Sequence, residues 1–292
     1  MGEKAEIIRG LRREGYRITD LLKISKLPKS TYYYEEHRED YDVRNEEIIA
    51  EIKAIFDENK ERYGVRRAHK ELVRRGHDID HKKVQRLMHK FSLKGKVPKE
   101  KYHSYKGNVG KIADSIINRD FTAGAPDEKW TTDVSQFNLT FGKCYLSPIL
   151  DMCTNEIISY DLSLHPNYEQ IKRMLEEAFK SHPKVSGLIF HSDQGWQYQN
   201  QRYVKSLEDH EIIQSMSRKG NCYDNCIMET FFGRMKTEMF YGHEKEFRTF
   251  EEFSIAVADY INYYNNERIQ KKTKWMPPLV FRKASIPNNS VV

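Results

Sequence analysis

SGLIFHSDQG, residues 186–195, is a short apolar run that stops on polar residues. Buried parallel strands read this way, because both of their faces are covered and a site opens at their carboxyl ends. The stretch predicts a parallel strand in an α/β sheet, with Asp193 at its mouth.

Working outward, the pattern after Pro126 is one of strands alternating with helices. KWTTDVSQFNLT (129–140) and KCYLSPILDMC (143–153) are β-rich runs around a turn at Gly142, and EIISYDLSL (156–164) is a third strand. NYEQIKRMLEEAFKSH (167–182) has helical spacing through Ile171, Leu175 and Phe179. The opening run is the fourth strand. A helix around Tyr203 to Leu207, a short strand IIQSMS (212–217) and two long helices, 224–241 and 249–265, complete the segment. Three strands, helix, strand, helix, strand, helices is the order of a ribonuclease-H-like α/β fold.

That order places three acids. Asp133 falls in the middle of the first strand, Asp193 at the end of the fourth, and Glu229 on the helix after the fifth. The first and fourth strands are neighbours in this topology, so their carboxylates converge and the helix brings a third acid over them. Hard oxygen ligands of this kind suit Mg²⁺ or Mn²⁺, and two such ions clamp the attacking and leaving oxygens of a phosphoryl displacement. The bland reading of Asp193 is a carboxylate satisfied by the backbone of its own HSDQG turn.

The residues before Pro126 read as short helices. Ile7, Ile8 and Leu11 mark one face, ITDLLKIS a second helix, Pro28 a break, and Ser30 the cap of a third. In a basic context these fit a helix-turn-helix unit over 1–42. A second such unit spans 43–91: Ile48, Ile52, Ile55 and Phe56 mark one helix, GVRRAHKELVRRG another and DHKKVQRLMHKFS a third. In the last of these Val84, Leu87 and Met88 face inward while Lys82, Lys83 and Arg86 face outward. Residues 92–126 read as a basic linker, 127–285 as the α/β domain, and 286–292 as a tail.

Charge supports this division. Residues 1–120 carry 29 Lys and Arg against 21 Asp and Glu, whereas 121–292 carry 20 against 22. A basic segment joined to a near-neutral one describes a polyanion-gripping module attached to a part with another task. No stretch reaches the roughly 18 apolar residues of a membrane span, and the N-terminus lacks the apolar core of a signal peptide. Four cysteines in 292 residues are too sparse for a disulfide framework. A soluble, cytoplasmic protein is expected.

Cys222 and Cys226 frame a choice, because they sit one helical turn apart just before Glu229. A zinc site wants four ligands, and this pair has no evident second pair. Packing thiols are the simpler assignment.

The spacing of Asp133, Asp193 and Glu229, with 59 and then 35 residues between them, resembles the DDE triad of insertion-sequence transposases of the IS-three family, relatives of retroviral integrases. WTTDVS, HSDQGWQY, SMSRKGNCYDN, ETFFGRMKTE and YYNNERIQ followed by PPLVF match that family's pattern over roughly residues 45–283. The resemblance implies a transposase that cuts and joins DNA at terminal inverted repeats. It implies two Mg²⁺ or Mn²⁺ ions held by Asp133, Asp193 and Glu229. The family's basic residue seven positions after the glutamate is Lys236 here, which implies contact with transposon-end DNA. Candidate DNA contacts are then Lys236 and Arg234 on the Glu229 helix, Arg218 and Lys219 ahead of it, Lys82, Lys83 and Arg86 in the second unit, and Lys29 and Thr31 in the first. His191, two residues before Asp193, is a candidate catalytic auxiliary or a structural hydrogen-bonding group. Trp196, Tyr198 and Trp275 read as core residues.

Partners implied by the resemblance are double-stranded DNA, a second copy of the chain, and the product of an upstream reading frame. The resemblance also implies a bacterial, nucleoid-associated protein. No sustained heptad run marks the leucine zipper of that family's fusion product. Ser135 stands where the family often has Thr. The rival readings are a ribonuclease-H-like nuclease or resolvase that cuts without joining, and an inert DNA-binding regulator.

Overall fold

The computed structural model describes residues 2–43, 45–97, 113–118, 120–218 and 225–286. The chain divides into two compact units, Met1–Lys96 and Val97–Val292.

The first unit is wholly helical. Helices α1 (Gly2–Arg13), α2 (Ile18–Ser25) and α3 (Lys29–Val43) close over Ala5, Ile8, Leu21, Leu27 and Tyr32. Ala5 and Ile8 are three apart and share a face, whereas Ile7 is rotated about 100° away and is 59% exposed, so it does not join the core as expected. Ser30 lies inside the first turn of α3 rather than at its cap, because the helix begins at Lys29, directly after Pro28. Helices α4 (Glu46–Glu58), α5 (Val65–Arg74) and α6 (His81–Lys90) bury Ile52, Ile55, Leu72, Val84, Leu87 and Met88. Asp80 caps α6 by accepting the Lys82 N–H at 2.8 Å. Arg75 is occupied within this unit, bonded to Glu51 at 2.6 Å and to Glu71 at 3.2 Å.

The second unit is built on a mixed sheet of β1 (Lys129–Thr132), β2 (Ser135–Leu139), β3 (Gly142–Asp151), β4 (Ile157–Ser163), β5 (Ile189–Ser192) and β6 (Ile213–Met216). β1 and β2 both pair antiparallel with β3, β4 lies along the other edge of β3, and β1, β5 and β6 run parallel. The single strand expected over 129–140 is thus two strands, with Asp133 at the break instead of inside a ladder. The register explains the break. It runs without a shift from Trp130↔Asp151 to Leu139↔Gly142, which sets Asp133 opposite Pro148. Met152 donates its N–H to Lys129 O, and hydrogen-bonded positions alternate along an antiparallel pair. Pro148 therefore occupies a position that owes Asp133 an N–H and has none.

Alternation sorts the side chains. Trp130 and Phe190, paired across β1 and β5, enter one core with Ile171, Met174 and Leu175 of α7 (Tyr168–Ser181) and with Tyr203 and Leu207 of α8 (Gln201–Glu208). Residues of the opposite parity face α9 (Cys226–Met235) and α10 (Phe250–Asn266). There Phe137 packs edge-on to Phe240 with ring centres 5.0 Å apart and tilted on Phe253 at 5.2 Å. A last helix, α11 (Pro278–Ser285), carries Arg282 to a buried cluster of Asp127, Asp151 and Glu156. Among the described residues no helix is long and apolar enough to cross a membrane.

Candidate active site

The β1–β5 register, Thr131↔His191, continues two residues to bring Asp133 beside Asp193 on the face that looks toward α9. Asp133 is buried, and its Oδ1 accepts the Val134 N–H at 2.7 Å. Asp193 is half-buried, and its Oδ1 accepts the Gly195 N–H at 2.8 Å, so the turn bond of the bland reading does exist. It engages one carboxylate oxygen. Gly195 permits that turn: a Cβ there would stand 2.9 Å from Asp193 Oδ1 and 2.6 Å from Gln197 Nε2.

Glu229 is half-buried on the first turn of α9. Asn225, immediately before the helix, donates from Nδ2 to Asp133 Oδ2 at 3.0 Å and so ties the Glu229 helix to the first aspartate. Sequence reasoning missed Asn225, although the string YDN that carries it was in view. The expected convergence of three carboxylates is met by the two aspartates, while Glu229 is the weakest of the charges acting on Asp133. Among the described residues no three His, Cys, Asp or Glu side chains gather tightly enough to hold a metal ion at once.

Lys236, expected to contact transposon-end DNA, is buried. It begins a π-helical turn, Lys236–Phe240, whose five residues are all buried. Its Nζ donates to Gln136 O at 3.0 Å and lies 4.9 Å from the centre of the Phe137 ring. The same-face geometry with Glu229 points Lys236 into β2, three residues past Asp133, rather than into solvent.

Residues 123–222 match the Integrase core domain family model, 229–286 match a second Integrase core domain model, and 34–101 match an HTH-like domain. InsK of insertion sequence element IS150 in Escherichia coli (strain K12) is 44% identical over 270 residues, 92% of this chain and 95% of that one. The chain belongs to the transposases of IS150/IS3-type insertion sequences. A transposase-like protein of Haemophilus influenzae is 53% identical over 71% of this chain and 95% of its own length. The HTLV-2 integrase catalytic core domain, solved in complex with magnesium, aligns with 54% of this chain and 97% of its own at a TM-score of 0.45 and 13% identity. Membership of that family gives the transposase a polynucleotidyl transferase core, DNA binding and a function in DNA transposition.

Electrostatics in the transposase are set by crowding of like charges. Burial and then the charge of Asp193 hold the Asp133 carboxyl well above the usual range. Burial raises Asp193 and Glu229 as well. A carboxyl whose folded pKa exceeds its unfolded value binds its proton more tightly in the native state, so it weakens the fold as pH rises. The penalty is absent below the unfolded value of about 3.9 and complete above the folded one. Asp133→Asn is accordingly expected to raise the melting temperature of the metal-free transposase at neutral pH, with the gain shrinking toward pH ~4. Thermal melts across that range check this; a gain independent of pH would contradict it. Lys236 is shifted the other way, pushed down to about 8 by burial, with Asp133 opposing the shift.

Other candidate residues of the transposase fall in varied settings. His191 is buried, with Nδ1 3.0 Å from Ser215 Oγ. Ser215 Oγ also accepts the N–H groups of Ile116 at 3.1 Å and Ile117 at 3.4 Å, so its one proton goes to His191 and leaves the ring N–H on Nε2. Trp196, expected in the core, is 49% exposed on a 3-10 turn just past Asp193, and Tyr198 on the same turn is buried. Trp275 is half-buried with φ +65°. On α6, Lys82 and Arg86 are exposed and Lys83 is half-buried. Lys29 is exposed with its Nζ 5.9 Å from the Tyr33 ring centre, Thr31 is half-buried, and Arg218 is exposed. Arg234 donates to Gln270 Oε1 at 3.4 Å. Ser135 is buried. Cys226 is half-buried at the start of α9, and Lys219 and Cys222 lie outside the described residues.

Proposed function

We propose that Asp133, Asp193 and Glu229 are the catalytic carboxylates of this transposase and that they hold two divalent cations, Mg²⁺ or Mn²⁺, on DNA. The observation that carries this is the pair of aspartates set side by side on parallel strands, with raised carboxyl pKa values and no cationic side chain bonded to either carboxylate among the described contacts. The donor chemistry fits: all three are hard oxygen ligands, and a cation would relieve the repulsion that raises them. Such ions supply charge neutralisation and a polarised oxygen at the scissile phosphate. Three carboxylates gathered without a cation repel one another, so binding would be weak until phosphate oxygens of DNA complete the shell.

The chain's own part is to orient. Asn225 holds one Asp133 oxygen and leaves the carboxylate turned toward α9, and the Gly195 N–H fixes the rotamer of Asp193. An oxygen of water attacks a phosphodiester at the end of the element and a 3′-hydroxyl leaves. That hydroxyl then attacks a second phosphodiester, so one bond forms and one breaks in each step without an enzyme-bound intermediate.

Residues 1–91 grip terminal inverted repeats, with Lys29, Thr31, Lys82, Lys83 and Arg86 toward the phosphates, and 92–126 links them to the catalytic domain over 127–285. Lys236 acts from beneath the site, through β2. A second copy of the chain and the upstream-frame product complete the assembly on DNA in the bacterial nucleoid. A strand-transfer assay with labelled terminal repeats tests this: divalent-dependent joined products are expected. Nicked ends without joining would identify a nuclease, and unaltered DNA an inert regulator.

A further inference from the structure

After α10 the chain turns back along the helix that bears Glu229. Arg268 reaches the far end: its Nε lies 2.9 Å from Glu238 Oε2 and its Nη2 lies 2.5 Å from Glu238 Oε1. Tyr260 donates to the same carboxylate at 3.0 Å. Gln270 comes next, its Oε1 accepting from Arg234 Nη1 at 3.4 Å and from Asn155 Nδ2 at 3.2 Å. Lys272 follows, bonded to Met152 O at 2.6 Å and within electrostatic reach of Cys226. As the chain climbs from 268 to 270, its partners descend from 238 to 234, so the segment is a strap antiparallel to the end of the helix that follows Glu229.

This strap is a poor stabiliser and a good locator. Arg268 and Glu238 are both buried, and desolvating two charges offsets most of their attraction. Arg268 Nη1 and Gln270 Nε2 are buried without a hydrogen-bond partner among the described residues, which adds cost. What the pair does supply is fixed geometry, because two parallel N–H···O bonds define the position of a carboxylate in a way that apolar packing does not. Glu238 sits in the π-helical turn, where Tyr241 N bonds Lys236 O at 2.7 Å, and its carboxylate accepts from Arg268 and Tyr260. The far end of α9 is therefore anchored, and Asn225 on Asp133 holds the near end.

We infer that Arg268 and Gln270 are positioning residues that set where Glu229 stands relative to Asp133 and Asp193. The inference rests on the reading of Glu229 as a cation ligand.

The test uses the full chain and the variants Arg268→Lys, Gln270→Ala and Glu229→Gln. Amide hydrogen exchange of the metal-free protein is followed over 226–235, with α7 as internal reference, and Mn²⁺ binding in the presence of end DNA is followed by the paramagnetic signal of free Mn²⁺. Both strap variants are expected to exchange faster over α9 with α7 unchanged, and to need about 10-fold more Mn²⁺ for half-saturation, as supporting residues of metal ligands do. Nicking should return close to the parent rate at saturating Mn²⁺, which a general loss of folding would not allow. Unchanged α9 exchange and an unchanged Mn²⁺ midpoint in Gln270→Ala would overturn the inference, and that variant decides the matter if Arg268→Lys fails to fold. Full activity in Glu229→Gln would instead remove Glu229 from the site and leave the exchange result to judge the strap by itself.

Discussion

Asp133→Asn, Asp193→Asn and Glu229→Gln are each expected to lower divalent-dependent nicking and joining by at least about a thousandfold, some 4 kcal/mol of transition-state stabilisation, while affinity for end DNA stays within about threefold. Each change keeps the shape of the side chain and removes one negative charge, so packing around β1, β5 and α9 is preserved. The aspartates repel each other in the free protein, which means that neither substitution should unfold the chain. Single-turnover assays with Mn²⁺, paired with filter binding, measure the two quantities separately. A variant that retains more than a tenth of the parent rate would take that residue out of the cation site. Glu229→Gln is the most informative of the three, because the charge of Glu229 acts on Asp133 less than that of Asp193 does.

The second large effect concerns stability and lies away from the site. Arg282 of α11 donates to Asp127 at 2.8 Å, lies 3.5 Å from Asp151 Oδ2, and bonds Glu156. Asp151 and Glu156 are buried, and Glu156 is raised by burial while Arg282 pulls it back. Arg282→Met would keep much of the aliphatic stem and strand three carboxylates around a missing cation. Removing one partner of a buried charge pair costs about 3 to 5 kcal/mol, and at roughly 2 to 4 °C per kcal/mol for a unit of this size the melting temperature should fall by about 6 to 20 °C. Asp127 also accepts the Trp130 indole N–H at 3.1 Å, so β1 should loosen with α11. Thermal denaturation of the Val97–Val292 unit within the full chain checks this, and a fall of under about 2 °C would show that the cluster is solvated or otherwise balanced.

These two sites differ in how far the amino-acid pattern reveals them. The sheet and its helices follow from local signals: an apolar run ending at Asp193, the β-rich run EIISYDLSL, and helical spacing through Ile171, Leu175 and Phe179. The acids could be placed because strand order fixes which strand ends meet. Partners joined across long separations leave no such trace. Asn225 and Asp133 are 92 residues apart, and Arg282 and Glu156 are 126 apart, so neither bond shows in any local window. The break at Asp133 needs the register with Pro148, which becomes visible only once β3 is laid beside β1 and β2. Lys236 shows the opposite failure. Helical spacing places it correctly on the Glu229 face, yet spacing says nothing about β2 lying against that face.

The most direct test of the cation site is anomalous diffraction at the manganese edge from crystals of the full chain with terminal-repeat DNA and Mn²⁺. Peaks bridging the carboxylate oxygens of Asp133 and Asp193, with a Glu229 oxygen in the same coordination shell, are the predicted result. Manganese bound without Glu229 in its shell, or absent from the aspartates altogether, would contradict it.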